Sequence, residues 1–233
     1  MVGEDPPAME KFISDFDDYT KSVILEAEDR AIGHQRTVDD YLTLRRGTCG
    51  AKPSFSFFAL GLNISNAVFD NPLMISLIEN ATDLNGITNV SHIFGESEGP
   101  TSHFPFLDVH SYWLERSRGL EKRNIITAIM EEHHIDLQQA LYWLSGYTSR
   151  IISNFLANIR ALPSWGEKID RAVMVYIDRV GRGIRGCDAW GYETKRYYGG
   201  DGLKVLECQK IALLPPDSAY ITREELELEI MVV

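Results

Sequence analysis

The segment 108–115, read as DVHSYWLE, contains two oxygen-bearing side chains at a spacing that suits a metal ion. Ser111 and Glu115 are four residues apart, so on an α-helix their oxygens lie on one face, about 6 Å apart along the axis. A hydroxyl and a carboxylate so placed are ligands that a hard cation such as Mg²⁺ accepts in octahedral geometry. The alternative is an ordinary solvent-facing helix in which a Ser and a Glu share this spacing by chance.

Two further places combine charge with hydrogen-bonding groups that suit phosphate. Arg196 and Tyr197 offer a guanidinium fork and a phenol hydroxyl, although on their own they are better explained as an aromatic helix end with an extended arginine. Arg45 and Arg46 precede a Gly-containing break, which can expose backbone groups to a ligand beside the charge. The alternative is a helix C-terminus at which arginines complement the macrodipole.

Long segments of helical periodicity must position these residues. The predicted helices run over 10–31, 39–47, 54–62, 72–84, 108–118, 124–133, 136–162 and 167–187. Segments with alternating periodicity are almost absent, so the sequence predicts an all-α bundle. The segment 85–106 is rich in Gly, Pro, Ser and Thr and is predicted to be an irregular loop, unusually long for a compact helical domain.

Composition excludes several classes of function. The formal net charge is −11, so a broad nucleic-acid-binding surface is not expected. The three cysteines have no metal-ligand spacing and indicate free thiols in a reducing compartment. No run of residues approaches the length of a membrane span, and the acidic, Pro-rich residues 1–8 do not read as a targeting signal. We therefore expect a cytoplasmic protein with no nucleic-acid partner.

Six segments occur in an order and register that resembles one family. They read YLTLRRGTCGAKPSF, NATDL, DVHSYWLE, NIITAIM, ALPSW and KRYYG. Together they resemble the fungal, basidiomycete-type sesquiterpene synthases, which are class I terpene synthases, over about residues 12–215. The resemblance implies the C-terminal portion of the class I terpenoid synthase helical bundle. It also implies Mg²⁺-dependent ionisation of farnesyl diphosphate, followed by cyclisation of the carbocation to a sesquiterpene.

The resemblance assigns roles to individual residues. The family's metal motif has the form Asn-Asp-x-x-Ser-x-x-x-Glu, and its second, fifth and ninth positions match Asp108, Ser111 and Glu115 as Mg²⁺ ligands. The family's Arg-Tyr pair that contacts the diphosphate matches Arg196 and Tyr197.

A third role concerns the helix before the Gly-containing break. The family's diphosphate-sensing arginine matches Arg46 or its neighbour Arg45, and Arg46 is preferred. Trp190 is expected near the cavity, where aromatic faces stabilise carbocations. No residue is assigned as a catalytic acid or base.

The sequence departs from the family pattern in two respects. Family members are markedly longer at the N-terminus, where an aspartate-rich motif supplies the other metal ligands, so we expect an N-terminally truncated member. Asp17-Asp18 does not replace that motif, because Lys21 stands where a further acid is needed, and it is interpreted as a solvated helix face. The first position of the metal motif is Leu107, which offers no oxygen. The segment 85–106, which precedes it, is either a real loop or a retained intron in the gene model.

These observations give one predicted organisation and competing functions. Residues 1–8 are predicted to be disordered, 9–216 to form the C-terminal part of the terpene synthase domain, and 217–233 to form a tail. The first hypothesis is a terpene cyclase. The second is an inactive homologue that retains diphosphate binding or a helical interaction role, and the third is a generic all-α interaction protein. A shortened bundle also predicts self-association through exposed apolar faces.

Overall fold

The computed structural model describes residues 6–87, 124–195, 200–208, 211–212 and 229–230. The helices in this part of the chain are α1 (Pro6–Ile32), α2 (Val38–Thr48), α3 (Ala51–Phe58), α4 (Asn66–Phe69), α5 (Pro72–Ile87), α6 (Ile125–His133), α7 (Leu137–Ala161), α8 (Glu167–Glu193) and α9 (Gly202–Cys208). Two short strands, β1 (Ile211–Ala212) and β2 (Glu229–Ile230), form one antiparallel pair. The predicted all-α fold is confirmed.

Helix starts follow the capping signals of the sequence. The Thr37 side chain accepts a hydrogen bond from the Asp40 amide at the start of α2, as its spacing predicts. Asp136 forms a capping box with Gln139 at the start of α7. His134 adopts a left-handed backbone at φ 53° and ends α6.

Several predicted helix ends were wrong by a few residues. Helix α1 begins at Pro6, inside the segment predicted to be disordered, because proline is tolerated in the first turn of a helix. Helix α3 begins at Ala51, three residues before its predicted start, because Gly50 turns the chain at φ 71°. Helix α5 continues to Ile87, which is buried, so the predicted loop loses its first three residues to the helix. Helix α8 continues past 187 to Glu193.

Helix α5 lies at the centre of the packing and contacts α2, α3, α7 and α8. Two clusters of buried side chains lie beside it. The first cluster joins α3, α4, α5, α7 and α8 and includes Phe55, Leu77 and Tyr176. The second cluster joins α2, α6 and α7 and includes Leu42 and Ile129. Burial of these apolar faces is the main favourable term in folding.

The C-terminal end of α3 is closed by a side chain from α8. The Arg179 guanidinium donates hydrogen bonds to the carbonyl oxygens of Phe58, at 2.8 Å, and Leu60, at 3.4 Å. Phe58 is the last residue of α3 and Leu60 lies in the turn that follows, so the arginine bonds to carbonyls at the end of the helix and adds a favourable charge at its negative end.

Helix α1 keeps a row of apolar side chains on its outer face. We call this row the apolar stripe, and it consists of Met9, Ile13, Phe16 and Ile24, each about half exposed or more. Spacings of four, three and eight residues place all four on one side of the helix. No helix in the described ranges is long and apolar enough to cross a membrane.

Candidate functional site

The break between α2 and α3 is shaped by two glycines. Gly50 lies at φ 71°, a left-handed conformation that side chains disfavour, and it redirects the chain into α3. Gly47 lies directly against α1, and a Cβ placed there would stand 2.5 Å from the Cβ of Ser22. The last turn of α2 is therefore held tightly against α1.

Arg46, in that last turn, forms a two-point ion pair with α5. Its Nε lies 2.6 Å from Asp83 Oδ1 and its Nη2 lies 2.7 Å from Asp83 Oδ2. The Asp83 side chain is only 3% exposed and that of Arg46 is 27% exposed. Hydrogen bonding to Asp83 raises the pKa of Arg46 above its ordinary value, so this guanidinium is permanently charged.

Tyr147 on α7 completes this group. Its hydroxyl donates a hydrogen bond to Asp83 Oδ2 at 3.2 Å. Burial, together with the negative charge of Asp83, raises the pKa of Tyr147 to about 12, so the hydroxyl keeps its proton at neutral pH. We call Asp83, Arg46 and Tyr147 the Asp83 network.

Arg45, the residue before Arg46 on α2, contacts α5 nearer to the C-terminal end of α5 than Arg46 does. Its Nε stands 3.5 Å from the carbonyl oxygen of Gly86, the last residue but one of α5. A Cβ added to Gly86 would lie 3.5 Å from Arg45 Cγ and 3.8 Å from Cys49 Cβ. The Arg45 charge also acts on the Cys187 thiol of α8. Arg45 thus occupies the junction of α2, α5 and α8.

Titratable groups on α8 near this junction are shifted towards their neutral forms. Burial raises the pKa of Asp188 to about 6. Burial raises the pKa of Cys187, and in the same way the pKa of Cys49, which follows the last residue of α2. Both thiols are free and predominantly protonated at neutral pH, so neither has the character of a nucleophile.

Five of the predicted site residues lie outside the described residues. These are the metal-ligand candidates Asp108, Ser111 and Glu115 and the diphosphate-binding candidates Arg196 and Tyr197. Within the part of the chain that the structure describes, no group of three His, Cys, Asp or Glu side chains is placed to hold a metal ion. Trp190, expected beside the cavity, lies on α8 with 48% of its surface exposed.

Comparison with known proteins identifies the family. Residues 2–152 match the family described as terpene synthase family 2, C-terminal metal binding. The chain belongs to the terpene synthase family.

Curated members of the terpene synthase family match most of the chain. It is 41% identical over 215 residues to the sesquiterpene synthase Agr8 of Cyclocybe aegerita, which covers 92% of this chain and 56% of that protein. It is 33% identical over 208 residues to a Delta(6)-protoilludene synthase of Armillaria gallica, which covers 89% of this chain and 55% of that protein. The chain thus spans little more than half the length of these relatives.

Solved structures support the class I terpenoid fold. The linalool/nerolidol synthase of Streptomyces clavuligerus superposes with a TM-score of 0.66 at 17% identity and covers 82% of this chain and 61% of that one. A cucumene synthase variant gives a TM-score of 0.63 at 17% identity, with 84% of this chain and 60% of that one covered. At this identity the likeness concerns the fold.

The motifs of the sequence did not predict the contact between Asp83 and Tyr147. Asp83 stands in the otherwise uncharged segment NATDL, on a helix whose apolar residues include Ile78, Ala81 and Leu84. An acid inside such a run indicates a buried carboxylate that needs a partner. The signal was therefore present for Asp83. The sequence contains no comparable signal for Tyr147, because its hydroxyl bonds to a residue 64 positions away.

Proposed function

We propose that this chain is the metal-binding part of a sesquiterpene synthase that ionises farnesyl diphosphate with Mg²⁺ and cyclises the resulting carbocation. The observation that carries the proposal is the match of residues 2–152 to the metal-binding part of the terpene synthase family. Relatives named sesquiterpene synthase and Delta(6)-protoilludene synthase support the substrate class. The scattered cysteines, of which Cys49 and Cys187 form no disulfide in the described residues, fit the proposed cytoplasmic location.

Asp108, Ser111 and Glu115 are the proposed Mg²⁺ ligands. Their oxygen donors fit a hard divalent cation. Asp83, a buried acid on α5, is not proposed as a further ligand. Both of its carboxylate oxygens accept hydrogen bonds from Arg46 and Tyr147. When bound, the metal would neutralise charge on the departing diphosphate.

Among the two arginines, Arg45 is proposed to contact the diphosphate. Arg46 was the preferred candidate from the sequence, but its guanidinium is engaged by the Asp83 carboxylate at two points. Arg45 lies closer to the C-terminal end of α5, from which the chain continues towards the metal motif. Arg196 and Tyr197, which follow α8 in the sequence, are proposed to bind the same anion. These groups would hold the diphosphate and stabilise negative charge as the carbon–oxygen bond breaks.

Product analysis is the direct test of activity. Purified protein is incubated with farnesyl diphosphate and Mg²⁺, and the organic extract is analysed by gas chromatography and mass spectrometry. A Mg²⁺-dependent sesquiterpene peak is the expected result. Diphosphate binding without product would favour the inactive, diphosphate-binding homologue. Absence of both from folded protein would contradict the proposal.

Binding of inorganic diphosphate with Mg²⁺, measured by titration calorimetry, tests the residue assignments. Arg45→Met, Ser111→Ala and Glu115→Ala are each expected to weaken binding roughly tenfold or more, because each removes a charged or metal-mediated contact. Arg182→Met is the matched control, since Arg182 lies exposed on α8 and pairs only with the neighbouring turn through Asp178. Equal binding by Arg45→Met and Arg182→Met would refute the role of Arg45.

Self-association through the apolar stripe is a second, separate proposal. The stripe runs along α1 and continues into an aromatic contact in which the Phe12 and Phe57 rings lie 4.4 Å apart. Phe57 on α3 is itself 52% exposed. An apolar surface of this extent favours association over solvent exposure.

A further inference from the structure

We propose that Asp83 is a positioning residue of the diphosphate site: through Arg46 it fixes the last turn of α2 and thereby sets the place of Arg45. The inference rests on the proposed function, because it concerns how the arginine assigned to the diphosphate is held. It assigns Asp83 no contact with substrate.

The geometry of the Asp83 network fixes orientation more than it adds stability. Taking two charges out of water has a free-energy cost that their attraction only partly offsets, so a buried ion pair is weak evidence of net stabilisation. A guanidinium held at two points, at 2.6 and 2.7 Å, has one permitted direction of approach. A requirement for position therefore explains this pair at the helix break better than a gain in stability does.

Tyr147 is itself held firmly, so it provides a fixed third point. Its ring stacks on Trp143 with centroids 5.4 Å apart and planes inclined by 11°. Arg150 lies over the same ring at 5.1 Å from its centroid. The Tyr147 hydroxyl is thereby directed at Asp83 Oδ2, and the carboxylate cannot rotate without losing that bond.

Arg46 transmits this position to Arg45 through the helix. Neighbouring residues on an α-helix differ by about 100° around the axis, so fixing the turn at Arg46 sets the direction in which the Cα–Cβ bond of Arg45 leaves the helix. Gly47, the next residue, packs the same turn against Ser22 of α1. The turn that carries Arg45 is consequently clamped between α1 and α5.

Two variants disturb the network without creating a large cavity. Asp83→Asn keeps the shape of the side chain but removes the charge, and Tyr147→Phe removes one hydrogen bond while retaining the stack on Trp143. Asp178→Asn is the matched control, because Asp178 also receives an arginine Nε hydrogen bond, at 2.8 Å, but on the exposed surface of α8.

The first readout needs no ligand and is amide hydrogen exchange at residues 47–51. Asp83→Asn is expected to raise exchange there about tenfold, as loss of a hydrogen bond to a charged group implies. Tyr147→Phe should raise it less, and Asp178→Asn should leave it unchanged. Unchanged exchange in a folded Asp83→Asn protein would overturn the inference. If Asp83→Asn does not fold, unchanged exchange in Tyr147→Phe would overturn it instead.

The second readout is the affinity for inorganic diphosphate with Mg²⁺. Asp83→Asn is expected to weaken it about tenfold, and the double variant Arg45→Met with Asp83→Asn should be no weaker than Arg45→Met alone, because Asp83 acts through Arg45. Fully additive losses would overturn the inference. If the unmodified protein binds no diphosphate, the proposed function fails, and the exchange measurement alone decides whether Asp83 holds this turn.

Discussion

Asp188 on α8 is a buried carboxyl group that links stability to pH. Burial raises its pKa from 3.8 to about 6, because the charged form loses its hydration in the interior. The folded protein therefore keeps the proton at pH values where the unfolded chain has released it. By linkage, the free energy of unfolding falls as the pH rises from about 4 to 6 and then levels off.

Asp188→Asn is predicted to remove this pH dependence. The contribution of the group corresponds to roughly 2 to 3 kcal/mol across that window. Urea unfolding at pH 4.5 and pH 7 should show the variant gaining stability relative to the unmodified protein at the higher pH. A matched Asp178→Asn change, at an exposed position, should leave the profile as it was. An identical fall with pH in Asp188→Asn would show that another group is responsible.

The residue scale is where the sequence was least informative. Arg45 and Arg46 are chemically identical neighbours, and only the partner carboxylate 37 positions beyond Arg46 distinguishes them. Helical periodicity states which face a residue occupies but not which distant side chain meets it. The network around Asp83 depends on three helices that meet in space, so local patterns do not contain it.

At the scale of helices, the crossing of α1 and α2 depends on the absence of a side chain at Gly47. A Cβ there would overlap the Oγ of Ser22 and stand 2.5 Å from its Cβ. The hydroxyl can rotate away, but the Cβ cannot, so the two helices would have to separate.

Gly47→Ala is therefore predicted to destabilise the protein by about 1 to 3 kcal/mol, the range found for overpacking. The gain in helix propensity from alanine, up to about 1 kcal/mol, offsets only part of this. Urea unfolding measures the change. Ser22→Gly in the same chain should recover part of the loss, and Gly146→Ala, at an open helical position, should not destabilise. A Gly47→Ala protein as stable as Gly146→Ala would contradict the close crossing.

Helix identity was predictable because the signals are local. The Thr37 cap and the apolar periodicity correctly predicted α2 and α7. Helix ends were less predictable, since tertiary packing extends or shortens them. Ile87 is buried beneath α2 and α6, so the helix continues through Asn85 and Gly86, which on their own favour a turn. The predicted metal motif and loop fall outside the described residues and stay predictions.

At the scale of the whole molecule, we expect the apolar stripe to determine whether the protein associates in solution. We predict that the purified protein self-associates and binds a hydrophobic dye. Ile13→Lys combined with Ile24→Lys should shift sedimentation towards the monomer and lower dye fluorescence, because two exposed apolar side chains are replaced by charges. Glu28→Lys, an exposed position on the same helix, controls for the change in net charge. A monodisperse, dye-negative unmodified protein would contradict this prediction.

The division of the interior into two clusters has a consequence for how the molecule melts. Tyr147 packs against both clusters, and it also bonds to α5 through Asp83. Cooperative unfolding requires that the loss of one part removes support from the rest. Helices α5 and α7 also contribute buried side chains to both clusters. We therefore expect a single calorimetric transition, with equal calorimetric and van't Hoff enthalpies. Truncating Tyr147 to alanine is expected to weaken the coupling, so that the van't Hoff enthalpy falls below the calorimetric one.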